Sequence, residues 1–285
     1  KTAYEMLRSL VGSEMCIRDS SVPATMFVPY FAPDEPGGSR GSCGHLNSYL
    51  EDVPAQSSNC GTLSETERRA LQRRTEGKYT NADFAMGSGP NLNCVIRPIL
   101  DLTNDKETVL NAISAMTASG NTVIPAGLAW GWHVISPSPP FTSAGAYNDP
   151  QLIKAIILLT DGDNVVNGGY NSFNKSIFTA YGYANEPGGQ HLGTDFSYGA
   201  AERVLDDKVT ALCNNIKADL DGDGQRNDIL IYTITFGVGA GSRVETIFRN
   251  CATDPGKFFN SPTNDDLNRA FEAIAVGLNQ LRLAK

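Results

Sequence analysis

The sequence predicts an α/β fold: a doubly wound, mostly parallel sheet with helices on both faces. Two stretches carry this reading, "LIKAIILLT" (152–160) and "DILIYTITF" (228–236), each a near-continuous apolar run of strand length. Such runs suit strands whose two faces are both covered by helices. A segment with helical periodicity follows each run, and alternating strands and helices pack as βαβ units. The first run stops abruptly at Thr160, Asp161, Gly162, Asp163 and Asn164. It therefore delivers carboxylates to the carboxyl end of a strand, where open α/β sheets bind their ligands.

The remaining elements follow in chain order. Residues 22–31, "VPATMFVPYF", read as a strand of β-branched and aromatic residues bounded by Pro. Residues 32–93 form a loop-rich insertion with one helix, "SETERRALQRR" (64–74), where Ser64 and Glu67 have capping-box spacing. "CVIRPILDLT" (94–103) is a short extended piece. "NDKETVLNAISAM" (104–116) is a helix capped by Asn104 or Asp105, with Val109, Leu110, Ile113 and Met116 at helical spacing. A second helix lies within 119–137, with Pro125 in its first turn and Leu128, Trp132 and Ile135 on one face. Pro137, Pro139 and Pro140 end it. After the strand at 152–160 comes a long Gly- and Asn-rich loop at about 162–195, then a helix over about 198–218. Beyond the second strand, "GSRVETIFRNCA" (241–252) is a short helix and "KFFN" (257–260) a short edge strand. "NDDLNRAFEAIAVGLNQL" (264–281) closes the chain with Leu267, Phe271, Ile274 and Leu278 facing inward.

At 285 residues the chain is long enough for a sizeable core. Its net charge of −8 argues against nucleic acid and anionic membranes as main partners. No run approaches the roughly 20 apolar residues of a membrane span. The first twenty residues lack the apolar core of a leader peptide. Instead, "YEMLRSLVGSEMCIRDS" resembles the translated read-through of a sequencing-library adapter. The expectation is that residues 1–20 are not native and that the natural chain is cut upstream of Ser21; a poorly ordered natural terminus is the alternative. Six cysteines, Cys16, Cys43, Cys60, Cys94, Cys213 and Cys251, form no CxxC pair, so a zinc site is not expected. Their wide spacing suits disulfides of an oxidising compartment, with buried free thiols as the alternative. A Cys43–Cys60 bridge would close a loop of about 17 residues and contribute about 3 kcal/mol.

"GNT" (120–122) opening a helix, followed by a hydrophobic strand ending "LLTDGDN", resembles a von Willebrand factor A domain. That resemblance implies a divalent metal at the top of the sheet, Mg²⁺ or Mn²⁺. It would be held by a DxSxS motif, by a Thr that Thr122 matches and by an Asp that Asp161 matches. A hard cation of this kind takes oxygen ligands and keeps waters, one of which a partner carboxylate can replace. Taken singly, Thr122 also reads as a helix N-cap, and Asp161 as a turn residue bonding its own backbone. No DxSxS occurs in the chain. The fold expected is therefore a single incomplete von Willebrand factor A domain over 21–285, Rossmann-like in its winding and lacking its first central strand. Exposed strand edges would flank the gap, and the metal would bind weakly or not at all.

The wider wording narrows the resemblance. "FVPYFAPDEP", "GPNLNC", "LDLTNDK", "KAIILLTDGDN", "IYTITF" and "NCATDPGKFF" are similar to the C-terminal part of TadG-like proteins of bacterial tight-adherence (Flp) pilus systems. The resemblance spans about residues 22–285 and implies a membrane anchor upstream and an extracytoplasmic location in the bacterial envelope. It also implies a protein partner and no enzymatic activity. In that setting Cys213 and Cys251 are a plausible pair, and Cys94 is left without an obvious one. An adhesin binding host or surface ligands is the alternative, which gene neighbours would separate. A metal-dependent hydrolase using Asp161 and Asp163 is a third reading, but no nucleophile–base pair accompanies it.

"DLDGDGQRND" (219–228) is a separate signal. Asp219, Asp221 and Asp223 stand at positions one, three and five of a calcium loop, with Gly224 at six for the sharp bend. Gln225 would offer its carbonyl, Asn227 stands at nine, and Leu230 replaces the usual bidentate Glu, for which Asp228 might substitute. A solvated acidic turn is the alternative to Ca²⁺ binding. His45, His133 and His191 are isolated, Trp130 and Trp132 read as packing residues, and Asp163 and Asn164 as turn residues.

Overall fold

The computed structural model describes residues 97–118, 120–166, 179–181, 192, 198–218, 220, 222, 224 and 228–284. The strand expected at 22–31, the insertion at 32–93 with its helix, and Cys16, Cys43, Cys60 and Cys94 lie outside the described residues. The chain divides into two compact units, one of residues 1–121 and 166–201, the other of 122–165 and 202–285.

In the first unit, residues 97–105 run without regular structure into helix α1 (Lys106–Ser114). Asp105, rather than Asn104, is its N-cap: the carboxylate accepts from the Glu107 and Thr108 amides, each at 3.2 Å. The Thr108 hydroxyl also donates to it, and these bonds hold the Asp105 carboxyl below the usual range. The expected apolar stripe is present but not covered, for Leu110, Ile113 and Met116 are all exposed and no residue of α1 is buried. Helical spacing creates a stripe; burying it needs a facing surface, and no described residue supplies one.

The second unit carries the sheet. Strands β1 (Lys154–Thr160), β2 (Ile229–Phe236) and β3 (Phe258–Ser261) are parallel and ordered β1-β2-β3. Thr160 pairs with Thr235 and Phe236 with Ser261, so the carboxyl ends lie together. Side chains alternate across β2. Ile229 and Ile231 join one core with Ile124 and Leu128 of α2 (Ile124–Ile135), Val209 and Ile216 of α3 (Tyr198–Ile216) and Phe248 of α4 (Arg243–Cys251). Tyr232 and Ile234 face the other way, onto Ala270 and Ile274 of α5 (Asn264–Ala284). Helices thus cover both faces of β2, as its apolar run requires. Each fully buried Ile or Phe contributes about 1.5–3 kcal/mol.

Two expectations for this unit are corrected. Phe271 does not face inward; it is 43% exposed, while Ala270, Ile274 and the partly buried Leu267 and Leu278 form the contact. One residue turns a helix by about 100°, so Ala270 faces the sheet and Phe271 passes its rim. On the same side of β1, Ile157 and Leu159 remain exposed, and β1 is the outer strand of the described sheet.

Two polar side chains inside this core find partners at close range, whereas the buried Ser261 hydroxyl of β3 has none among the described residues. The Thr233 hydroxyl, fully buried, donates to the Phe248 carbonyl at 2.8 Å. Lys154, which interrupts the first apolar run, is buried, and its ammonium donates to the Ile135 and Gly145 carbonyls at 2.6 Å each. Burial lowers the pKa of this lysine. The bonds fasten the end of α2 and the following loop to the strand.

Cys213 of α3 and Cys251 of α4 form a disulfide, both nearly inaccessible, across a sequence separation of 38 residues. Loop closure of that length restricts the unfolded chain by about 3–4 kcal/mol. The double variant Cys213→Ala, Cys251→Ala should therefore unfold at lower urea concentration, with a loss of about 2–4 kcal/mol. An unchanged midpoint would show that packing alone holds α3 to α4.

Candidate functional site at the carboxyl end of the sheet

Helix α2 begins without a cap of its own. The residue at its N-cap position, Val123, has no side chain able to accept a hydrogen bond, and Pro125 occupies the first turn. The Ile124 amide would be buried without an acceptor. Asn164 supplies one from 40 residues away: its Oδ1 accepts from the Ile124 amide at 2.8 Å. Beside this bond, the Val165 amide donates to the Thr122 carbonyl at 2.9 Å. The loop that opens α2 and the loop that follows β1 are therefore bound to each other.

The geometry assigns separate tasks to the residues of "TDGDN". Thr160 makes the turn: its buried hydroxyl donates to the Gly162 carbonyl at 2.8 Å. Asp161, which the alternative reading gave that task, is exposed instead. Asp163 is also exposed. Asn164 is 1% exposed, so the sequence reading of it as a simple turn residue is corrected: it is a buried connector. Its Nδ2 donates to Asp206 Oδ1 of α3 at 2.7 Å, and Asp206 Oδ2 pairs with Arg243 Nε at 2.8 Å. Thr122 is partly buried and is not the N-cap of α2.

The structure thus brings together the loops that carry Thr122 and Asp161. Among the described residues, no three His, Cys, Asp or Glu side chains gather into a metal-holding group. The two expected ligands offer a hydroxyl and a carboxylate, both hard oxygen donors of the type Mg²⁺ takes.

Of the candidate calcium loop, Asp219, Asp221, Asp223, Gln225 and Asn227 lie outside the described residues. Gly222 and Gly224 adopt left-handed φ of 82° and 83°, so the bend expected at Gly224 is present. One oxygen of Asp228, Oδ2, accepts from the Leu220 amide at 2.5 Å and closes the loop at its base. Of the other residues weighed, Trp130 packs edge-on against Phe141 and is buried, as expected. His133 is partly buried beside Trp130, and burial lowers its pKa. Within the loop at 162–195, Tyr181 is buried; Tyr170, Phe173 and Tyr183 lie outside the described residues.

No family model matches the chain. No curated protein matches it either. Among solved structures, it is similar to the pilus adhesin SpaC from Lactobacillus rhamnosus GG, at 15% identity and a TM-score of 0.35. That similarity covers 61% of this chain and 22% of SpaC, so the chain spans under a quarter of that protein.

Asp206 gives the site a measurable pH signature. Burial raises its pKa above the ordinary 3.8; the Asn164 hydrogen bond and the Arg243 charge oppose this, and Asp163 and Asp207 add to it. A carboxyl with a raised folded pKa contributes its stability below the unfolded value of about 3.9 and loses it as pH rises through the folded value. The stability advantage of the native chain over Asp206→Asn should be largest near pH 4 and shrink toward neutrality. Urea unfolding of both proteins across that range checks the sign; a gap that widens with pH would contradict it.

Proposed function

We propose that the chain is a non-enzymatic binding or assembly module of the bacterial cell envelope, of the von Willebrand factor A type, serving a tight-adherence pilus system. It would grip a protein partner through a divalent cation at the carboxyl end of the sheet. The observation that supports this reading most is the pairing of the two loops bearing Thr122 and Asp161 by the Val165–Thr122 and Ile124–Asn164 bonds. Residues far apart in the chain, each matching a ligand of that family, come to lie on adjoining loops beyond β1. Thr122 would hold the cation through its hydroxyl and Asp161 through its carboxylate. The cation would supply a vacant position for a partner's carboxylate. Further oxygen ligands would have to join these two to complete the coordination.

The acidic loop at 219–228 is a second proposed cation site, for Ca²⁺. Its support is the left-handed backbone at Gly222 and Gly224, within a sequence that carries alternate carboxylates. With one Asp228 oxygen engaged by the Leu220 amide, Asp228 would reach a cation through its other oxygen.

Both sites are open to direct tests on this chain, the first by paramagnetic broadening, which detects the weak binding expected without a DxSxS motif. Mn²⁺, a paramagnetic substitute for Mg²⁺, should broaden the amide signals of residues 120–124 and 160–164 before others. Asp161→Ala should remove that broadening. Uniform broadening, or persistence in the variant, would sink the metal-face reading. At the second site, calorimetry should show Ca²⁺ heat that Asp221→Ala strongly reduces; a parent chain without such heat would retire the loop as a cation site.

A further inference from the structure

We infer that Asn164 is a positioning residue for the paired loops: its buried amide, held by Asp206 and Arg243, sets the separation between the segments that carry Thr122 and Asp161. As a statement about cation binding this rests on the metal-face reading; as a statement about the loops it stands on geometry alone.

Three observations carry it. First, Asn164 is 1% exposed and uses both ends of its amide, accepting from the Ile124 amide at 2.8 Å and donating to Asp206 Oδ1 at 2.7 Å. An amide is a neutral side chain that accepts and donates at once, through two different atoms. Second, both candidate ligands are close to this bond in sequence. Thr122 is two residues from Ile124, and Asp161 is three from Asn164, so each has little slack. Third, Asn164 is not free to swing. Asp206 fixes its Nδ2, and the Arg243 guanidinium fixes the far oxygen of Asp206 at 2.8 Å. The chain of contacts thus runs from the start of α2, through the β1 loop, to α3 and the start of α4. Groups that orient ligands in this indirect way alter metal affinity by about 10–100-fold when removed.

The decisive variant is Asn164→Ala, with two readouts. The first is hydrogen exchange at the Val165 amide, whose bond to the Thr122 carbonyl the substitution does not touch chemically. If Asn164 sets the loop separation, Val165 should exchange about tenfold faster relative to the Ile234 amide in the core. The second is Mn²⁺ affinity from signal broadening, which should fall by about tenfold or more. A double variant, Asn164→Asp with Asp206→Asn, exchanges amide and carboxylate and keeps the contact between them with donor and acceptor reversed, Arg243 then donating to the amide oxygen at 206. It should recover both readouts, whereas Asn164→Asp alone, which opposes two carboxylates, should not. If Val165 exchange in Asn164→Ala stays in step with Ile234, the inference is overturned. If Val165 responds but Mn²⁺ affinity in a binding parent does not, the positioning of ligands is overturned. A parent that binds no Mn²⁺ removes the metal-face reading, while Val165 exchange still decides whether Asn164 holds the loops.

Discussion

The constraint on which this end of the molecule depends is the need of one buried amide for an acceptor. Helix α2 starts at Ile124 after Val123, with Pro125 next, and none of these can cap it. A buried, unpaired amide costs roughly 1–3 kcal/mol, a sizeable share of the stability of any domain. Asn164 removes that cost only if the chain leaving β1 turns back toward α2. The Thr160 hydroxyl makes the turn, and the Val165–Thr122 bond extends the contact. The buried Asn164 Nδ2 then needs an acceptor in turn, which Asp206 provides, and the Asp206 carboxylate needs a cation, which Arg243 provides. Each partner follows from the burial of the one before it.

The same logic explains why α3 and α4 lie side by side in the same direction. They are joined at two levels, by the Asp206–Arg243 ion pair and by the Cys213–Cys251 disulfide. Along α3 the two joints are seven residues apart, and along α4 eight, or roughly 10–12 Å in each helix at 1.5 Å per residue. Near-equal spacing lets both joints form between parallel neighbours without bending either. The apolar residues between them, Val209 on one helix and Val244 and Phe248 on the other, close over Ile229 and Ile231 of β2. The ion pair is partly solvated and adds little by itself; the disulfide and the core supply the strength, and the pair adds alignment at the end where the loops meet.

What was legible in the sequence was what repeats. The runs at 152–160 and 228–236 became β1 and β2; both faces of β2 are covered, while β1 leaves Ile157 and Leu159 exposed. The capping residue Asp105 fixed the start of α1 to within a residue. What was not legible depended on shape or on distant partners. Phe271 fits the helical stripe as well as Ala270 does, and only the narrow sheet beneath separates them. The stripe on α1 is a sound amphipathic pattern, yet no described surface meets it. Asn164 read as a turn residue because its partners, Ile124 and Asp206, stand 40 and 42 residues away.

The stretch "TDGDN" shows how burial sorts residues of similar polarity into opposed roles. Asp161 and Asn164 differ by one atom group and stand three positions apart. Asp161 faces solvent, where a carboxylate keeps its charge at little cost and remains available to a cation. Asn164 is inside, next to Asp206, where a second carboxylate would be desolvated and would repel the first. A Ser or Ala there could not bridge a donor and an acceptor across the gap. The neutral amide is the side chain that serves one backbone donor and one carboxylate together. The exposed acid and the buried amide are therefore not interchangeable: one leaves a charge at the sheet's end, and the other holds the loop from which that charge is presented.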